Sequence, residues 1–312
     1  MAADPPPHTT VRRLRTLPLL ALLAAALLGL AGLLPAGAAP QAAEPIEAQA
    51  VRGSVAMITG EGGNIGLLTG PDGTVMVDAK FARLAEPIRA AIQQLGGEDP
   101  RVLLNTHFHA DHTDGNAGFA GTGATIVAHR NVRRQLAAGS TIAAFGMTTP
   151  PAPPQALPVM TFDRSLTLHL DGQTIELEHL PAAHTDGDVI VRFVDADVIH
   201  AGDVWFNGMY PFIDAAHGGT LSGAIAGVDR ILALTDDDTR IIPGHGPLGS
   251  RAELLAYRAM LATARQRLAA LKARGLTSAQ AVAAQPLADL EPLWGKGLFT
   301  GDRWIEVVWE AV

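Results

Sequence analysis

Short apolar runs cut by glycine dominate positions 46–79. They read as strands over 49–55, 56–59, 65–69 and 74–78, with turns at Gly60, Gly62, Gly63, Gly70 and Gly73. This is the pattern of a β-meander. The period then changes. Leu84, Ile88, Ile92 and Leu95 fall at helical spacing, and Gly96-Gly97 ends the helix predicted over 81–95. A buried strand is expected over 102–104, another strand over 125–128 and a helix over 131–138. Positions 107–116 are polar and turn-like. Positions 148–158 hold five prolines, which predicts an ordered loop or flap. A second set of strands is expected over 166–170, 174–180, 189–194 and 197–201. A helix over 221–234, a strand over 240–242 and a long amphipathic helix over 252–273 follow. The tail from Ala279 mixes helix and loop. The order βββ-α-β-α occurs twice, which suggests two equivalent halves. Two sheets packed face to face, with helices outside, bury such a pattern most economically.

The N-terminus breaks the pattern. Arg12, Arg13 and Arg15 precede an uncharged stretch over 17–34, and Ala36-Gly37-Ala38 follows. Those are the parts of a secretory signal peptide, expected over 1–38, with an uncleaved anchor as the alternative. No Cys follows, so a lipoprotein is excluded. A linker over 39–45 then leads to one domain over 46–312. The expected location is the periplasm or the exterior, without stable membrane contact once the signal is cleaved.

Composition narrows the chemistry. The formal net charge is −8. Cleavage would remove Asp4 and three arginines, leaving 30 acidic and 20 basic residues, net −10. That balance argues against nucleic-acid binding by phosphate neutralisation. With no cysteine among 312 residues, disulfides, thiolate metal sites and thiol nucleophiles are excluded. A metal site here must use His and carboxylates.

One segment carries that chemistry: His107-Phe108-His109-Ala110-Asp111-His112. It follows a predicted buried strand, where sheet proteins place sites. His107 and His109 alternate by two and can share one side. Asp111 and His112 lie past a turn and can aim elsewhere, so one segment can feed two adjacent metal positions. Imidazole and carboxylate without thiolate suit zinc ahead of iron or manganese. Three more polar residues sit just past apolar runs: His184 in His184-Thr185-Asp186-Gly187-Asp188, Asp203 in Ala201-Gly202-Asp203, and His245 in Pro243-Gly244-His245-Gly246.

These motifs, in this order, resemble the metallo-β-lactamase-fold hydrolase superfamily. Val75-Met76-Val77-Asp78 and Ala128-His129 fit the same pattern. The resemblance covers roughly 46–257. It implies an α/β fold, an αββα sandwich of two mixed sheets flanked by helices, with the site at one sheet edge. It implies two Zn2+ per chain: His107, His109 and His184 on the first, Asp111, His112 and His245 on the second, Asp203 between them. Asp111 would orient an attacking water and pass on its proton. Asp78 would orient a ligand histidine, and Lys80 and His217 are candidates for contact with a small-molecule substrate. The implied activity is hydrolysis of a cyclic amide or ester by metal-activated water, leaning to β-lactams. A lactone or thioester hydrolase is the first alternative, and an Asp at position 203 looks like those branches. A mononuclear-iron persulfide dioxygenase has a nearly identical His/Asp set, and a non-catalytic metal-holding protein is a third class.

Overall fold

The apolar runs build two sheets, and the alternation within each strand decides the layers. The computed structural model describes Met1, Ala2, Asp4 and residues 44–312. The expected signal segment, those three residues apart, and the linker as far as residue 43 lie outside the described residues.

The first sheet contains β1 (Glu47–Arg52), β2 (Val55–Thr59), β3 (Ile65–Leu68), β4 (Thr74–Val77), β5 (Pro100–Asn105) and β6 (Thr125–His129). A separate hairpin follows, β7 (Ser140–Ile142) with β8 (Met147–Thr149). Then β9 (Met160–Phe162) joins the first sheet beside β6. The second sheet runs in order through β10 (Ser165–Leu170), β11 (Gln173–His179), β12 (Val189–Phe193), β13 (Val198–His200), β14 (Arg240–Ile242) and β15 (Gly249–Ser250).

Both sheets start as antiparallel meanders and then turn parallel. In the first, β4 pairs in parallel with β5 after crossing through the helix Ala85–Gln94. In the second, β13 pairs in parallel with β14 after the helix Leu221–Ala233. A parallel partner needs such a crossover. The two halves expected from the element order are therefore visible in the connections.

Between the sheets lie Val55, Met57, Val75, Val77, Leu104 and Val127, packed with Ile175, Leu177, Val189, Val191, Val198 and Ile242. Their neighbours along the strands face out. Ala56, Ile58, Met76, Leu103 and Ile126 meet Ile88, Ile92 and Phe119 from the helices on the first sheet. Ile190, Ile199 and Ile241 meet Val228, Ile231, Leu254, Leu261 and Trp304 on the other side. The result is the αββα sandwich.

Four local readings differ from the structure. The strand expected over 49–55 breaks at Gly53, whose φ of 56° makes a turn into β2. The polar stretch over 107–116 is not all turn: Ala110–Thr113 is a short helix, and Asn116–Ala120 another. The β7–β8 hairpin and β9 were not expected. Each is only three residues long and too short for a period. The proline stretch starts within β8 and carries a helical turn at Pro154–Ala156. No helix among the described residues is long and apolar enough to cross a membrane.

Candidate metal centre

Every predicted ligand follows a strand that ends at the same edge of the sandwich. β5 runs into Thr106 and His107. His109 then stands just before the Ala110–Thr113 helix, and that turn swings Asp111 and His112 away from His107 and His109. β11 leads to the loop carrying His184. The buried Asp188 shapes this loop, accepting the backbone N–H of His184 at 2.6 Å and of Thr185 at 2.8 Å. β13 leads through Gly202 to Asp203, and β14 leads to His245.

The structure gathers these seven side chains into two adjoining groups: His107, His109, His184 and Asp203, and beside them Asp111, His112 and His245. Asp203 reaches both. Its Oδ2 lies 3.4 Å from His184 Nε2 and 3.4 Å from His245 Nε2, and its Oδ1 lies 3.1 Å from His112 Nε2. Asp111 Oδ2 lies 3.3 Å from His245 Nε2. Asp111 and His245 are each 24% exposed by side chain, against 0–6% for the other five, so the open face lies over them.

The outer ring nitrogens show what the inner ones are for. His112 Nδ1 donates to Asp78 Oδ2 at 2.7 Å, and His184 Nδ1 to the Phe212 carbonyl at 2.7 Å. His109 Nε2 donates to Asp214 Oδ2 at 3.0 Å, and His107 Nδ1 faces Thr106 Oγ1 at 3.0 Å. With the protons placed outward, the inner nitrogens of His107, His109 and His184 carry lone pairs. Yet His109 Nδ1 lies 3.1 Å from His107 Nε2 and 2.9 Å from His184 Nε2. Lone pairs facing one another at that range call for a cation among them. Asp203 Oδ1 adds to this: it is buried without a well-directed hydrogen-bond donor. The donor set fits divalent metal ions.

Electrostatics separates the two groups. Burial, reinforced by His112, pushes His107 well below the usual imidazole range, and burial lowers His184 to about 4. Burial opposes charge on His112 and His245 too, but Asp203 and Asp111 outweigh it. His112 rises well above the usual range and His245 rises to about 9. His107 and His184 are thus ready as neutral ligands, while His112 and His245 hold protons that a metal ion must displace.

The other expected site residues fall in three places. Asp78 lies behind His112, and its carboxylate also takes the Thr106 N–H at 2.8 Å and the Thr106 hydroxyl at 2.7 Å. His217 bonds to Asp214 at 2.6 Å. Lys80, expected at the substrate, is fully buried beneath the glycine turn. Its Nζ donates to the carbonyls of Gly63 at 2.6 Å and Gly60 at 3.1 Å. It holds the loop that lies on His112, which is a structural clamp and not a substrate contact.

Burial lowers the Lys80 pKa to about 8 from 10.5, against the attraction of Asp111. The unfolded chain therefore binds the proton more tightly between pH 8 and 10.5, and stability rises with pH across that window. The expected gain over Lys80→Met is about 3 kcal/mol. Denaturant unfolding of both proteins at pH 7.5 and 10.5 checks it. An unchanged gap would show that Lys80 titrates as in water.

Two residues with a part in the site escaped the sequence. Asp214 holds His109 from 105 positions away. Asn64 ties the His245 loop to the first sheet: its side chain donates to the carbonyls of Pro243 and Gly246, both at 2.9 Å, and its N–H to Gly244 at 2.7 Å.

Comparison with known proteins agrees with this geometry. The family model of the metallo-beta-lactamase superfamily matches residues 58–245. The hydroxyacylglutathione hydrolase of Polaromonas sp. is 32% identical over 146 residues, which is 46% of this chain and 47% of that enzyme. The match thus spans about half that relative's length. A metallo-beta-lactamase of Cronobacter sakazakii superposes with a TM-score of 0.60 at 24% identity, over 74% of this chain and 97% of that one. The inverting sec-alkylsulfatase Pisa1 of Pseudomonas sp. superposes with a TM-score of 0.62 at 16% identity, over 86% of this chain and 50% of that one. Those two likenesses show the shared fold. The family model covers more than half of the chain, and its span holds all seven clustered side chains: the chain belongs to the metallo-beta-lactamase superfamily.

Proposed function

We propose that the protein is an exported dinuclear zinc hydrolase that opens a cyclic amide or ester in a small-molecule substrate. The observation that carries this reading is the pair of adjoining donor groups joined by Asp203, with the ring lone pairs of the first turned inward and an open face over Asp111 and His245. When bound, two zinc ions would lower the pKa of water toward neutral and polarise a carbonyl oxygen. His107, His109 and His184 would hold the first ion, Asp111, His112 and His245 the second, and Asp203 both.

The chain's own residues supply the rest. Burial alone would favour a neutral Asp111, but His112 and His245 outweigh it and hold the carboxyl below its usual range. At neutral pH, Asp111 Oδ2 is therefore a hydrogen-bond acceptor on the open face, able to orient the attacking water. Asp78 keeps His112 aimed inward, and Asp188 shapes the loop that presents His184. Among substrates we place β-lactams first, because the N-terminal segment reads as an export signal. A thioester is the second reading, favoured by the 32% identity to a hydroxyacylglutathione hydrolase.

Metal analysis of the purified protein, with turnover of a chromogenic cephalosporin and of an acyl thioester, tests the proposal. About two zinc ions per chain are expected. Asp111→Ala should lower turnover of whichever substrate reacts by about a hundredfold or more. Thioester turnover alone would move the substrate class. One iron per chain, with neither substrate hydrolysed, would overturn the hydrolase reading.

A further inference from the structure

His109 faces the metal centre the opposite way from its neighbours. It presents Nδ1, whereas His107, His112 and His184 present Nε2. Its outer nitrogen explains the difference. His109 Nε2 donates to Asp214 Oδ2 at 3.0 Å, and the side chain of Asp214 is only 3% exposed. The same Oδ2 takes a second hydrogen bond, from His217 Nδ1 at 2.6 Å. The backbone then locks the carboxylate in place. Asp214 N–H donates to the His184 carbonyl at 2.9 Å, so the loop that carries Asp214 is fastened to a predicted ligand. The His217 carbonyl accepts the Asp186 N–H at 2.9 Å, two residues after His184. The His217 ring lies 4.9 Å from Phe108, edge to face, and its side chain is 15% exposed.

We propose that Asp214 and His217 form a positioning pair for the first metal position. Asp214 keeps the His109 proton on Nε2, so that Nδ1 offers its lone pair inward. His217 shares the same oxygen and keeps that carboxylate turned toward His109. Neither residue belongs to the two donor groups. This inference rests on the metal-binding reading above. It adds that the first position depends on a carboxylate and an imidazole outside the ligand set.

The two nitrogens of an imidazole are not interchangeable once one is committed to an acceptor. Without Asp214, the His109 tautomer with its proton on Nδ1 becomes competitive and blocks the metal-facing position. Loss of such an outer partner costs about 10–100-fold in metal affinity. Loss of the His217 ring should cost less, about tenfold, since Asp214 remains and its Oδ1 still takes the backbone N–H of residue 217 at 3.3 Å.

The test is cobalt(II) titration of metal-free protein against a competing chelator, read by bound cobalt and by the visible spectrum. Four proteins are compared: wild type, Asp214→Ala, His217→Ala and His217→Asn. The wild type should bind two cobalt ions. Asp214→Ala should weaken one position by about a hundredfold, shift its absorption band and leave the other position within about twofold. His217→Ala should weaken the same position by about tenfold, and His217→Asn should restore it, because an Asn amide can donate where His Nδ1 does. If Asp214→Ala does not fold, the two His217 variants carry the test. Unchanged affinities in the variants, equal losses at both positions, or no rescue by Asn would overturn the positioning pair alone. A wild type that binds no cobalt would overturn the metal reading and the pair with it.

Discussion

Asp203→Ala should empty both metal positions together and lower kcat by about a thousandfold or more. Every other member of the centre belongs to one group. Asp203 lies within 3.4 Å of His184 in one and of His112 and His245 in the other. It is also the one carboxylate in the first group. Without it, three imidazoles and no carboxylate face the first cation, and the second loses a neighbouring negative charge. Metal assistance supplies several kcal/mol of transition-state stabilisation, which corresponds to about three orders of magnitude in rate. His245→Ala should instead leave the first position filled. Metal content and turnover of both variants check the contrast, and a two-metal Asp203→Ala protein would refute the bridging role. The metal-free protein offers a separate check. The folded-state pKa of His245 is raised to about 9 from 6.5, with burial opposing and Asp203 foremost among the groups that raise it. That pairing stabilises fully below pH 6.5 and fades as pH climbs through 9. The melting deficit of metal-free Asp203→Ala should therefore be larger at pH 6 than at pH 9.5.

The layers were legible because burial leaves a periodic trace. Val75 and Val77 against Met76, or Val189 and Val191 against Ile190, alternate between the inter-sheet core and the helix-covered face. The ligand groups were legible for a related reason. A polar residue placed at the end of an apolar strand stands out, and four such strand ends meet at one edge. Asp78 left the same trace after β4. Asp214 and Asn64 left none. Asp214 follows no strand, and its partner is 105 residues away, so only the packing of the two sheets makes it part of the site. Asn64 sits between a glycine turn and β3, and its acceptors are 179 and 182 residues distant. Lys80 shows the reverse error. A lysine near a predicted site invites a substrate role, but in sequence nothing distinguishes an ammonium in water from one buried under three glycine carbonyls.

Gly244→Ala should damage the centre nearly as much as removing a ligand, though glycine has no side chain to contribute. The backbone at Gly244 is held from three sides. Its N–H donates to the carbonyls of Gly202 at 2.8 Å and Trp205 at 3.0 Å, and its carbonyl accepts the Asn64 N–H at 2.7 Å. A Cβ here would overlap Asp203 Oδ1 and stand 2.7 Å from the Gly202 carbonyl carbon. The loop cannot retreat without breaking those hydrogen bonds, so the methyl group must displace Asp203 or carry His245 away. Overpacking of this kind costs about 1–3 kcal/mol, which lowers the melting temperature by roughly 3–10 °C in a domain of this size. The loss of activity should be steeper, about a hundredfold, because both outcomes separate Asp203 from His245. Gly118→Ala is the control. It lies inside the helix Asn116–Ala120, the nearest atom to its added Cβ would be Ala85 Cβ at 3.8 Å, and the substitution should raise stability by about 0.5–1 kcal/mol. Thermal melts and zinc content of the two variants separate a requirement for space at the bridging carboxylate from a general intolerance of alanine. A Gly244→Ala protein with wild-type melting and two zinc ions would show that the close approach of this loop to Asp203 is not needed to build the centre.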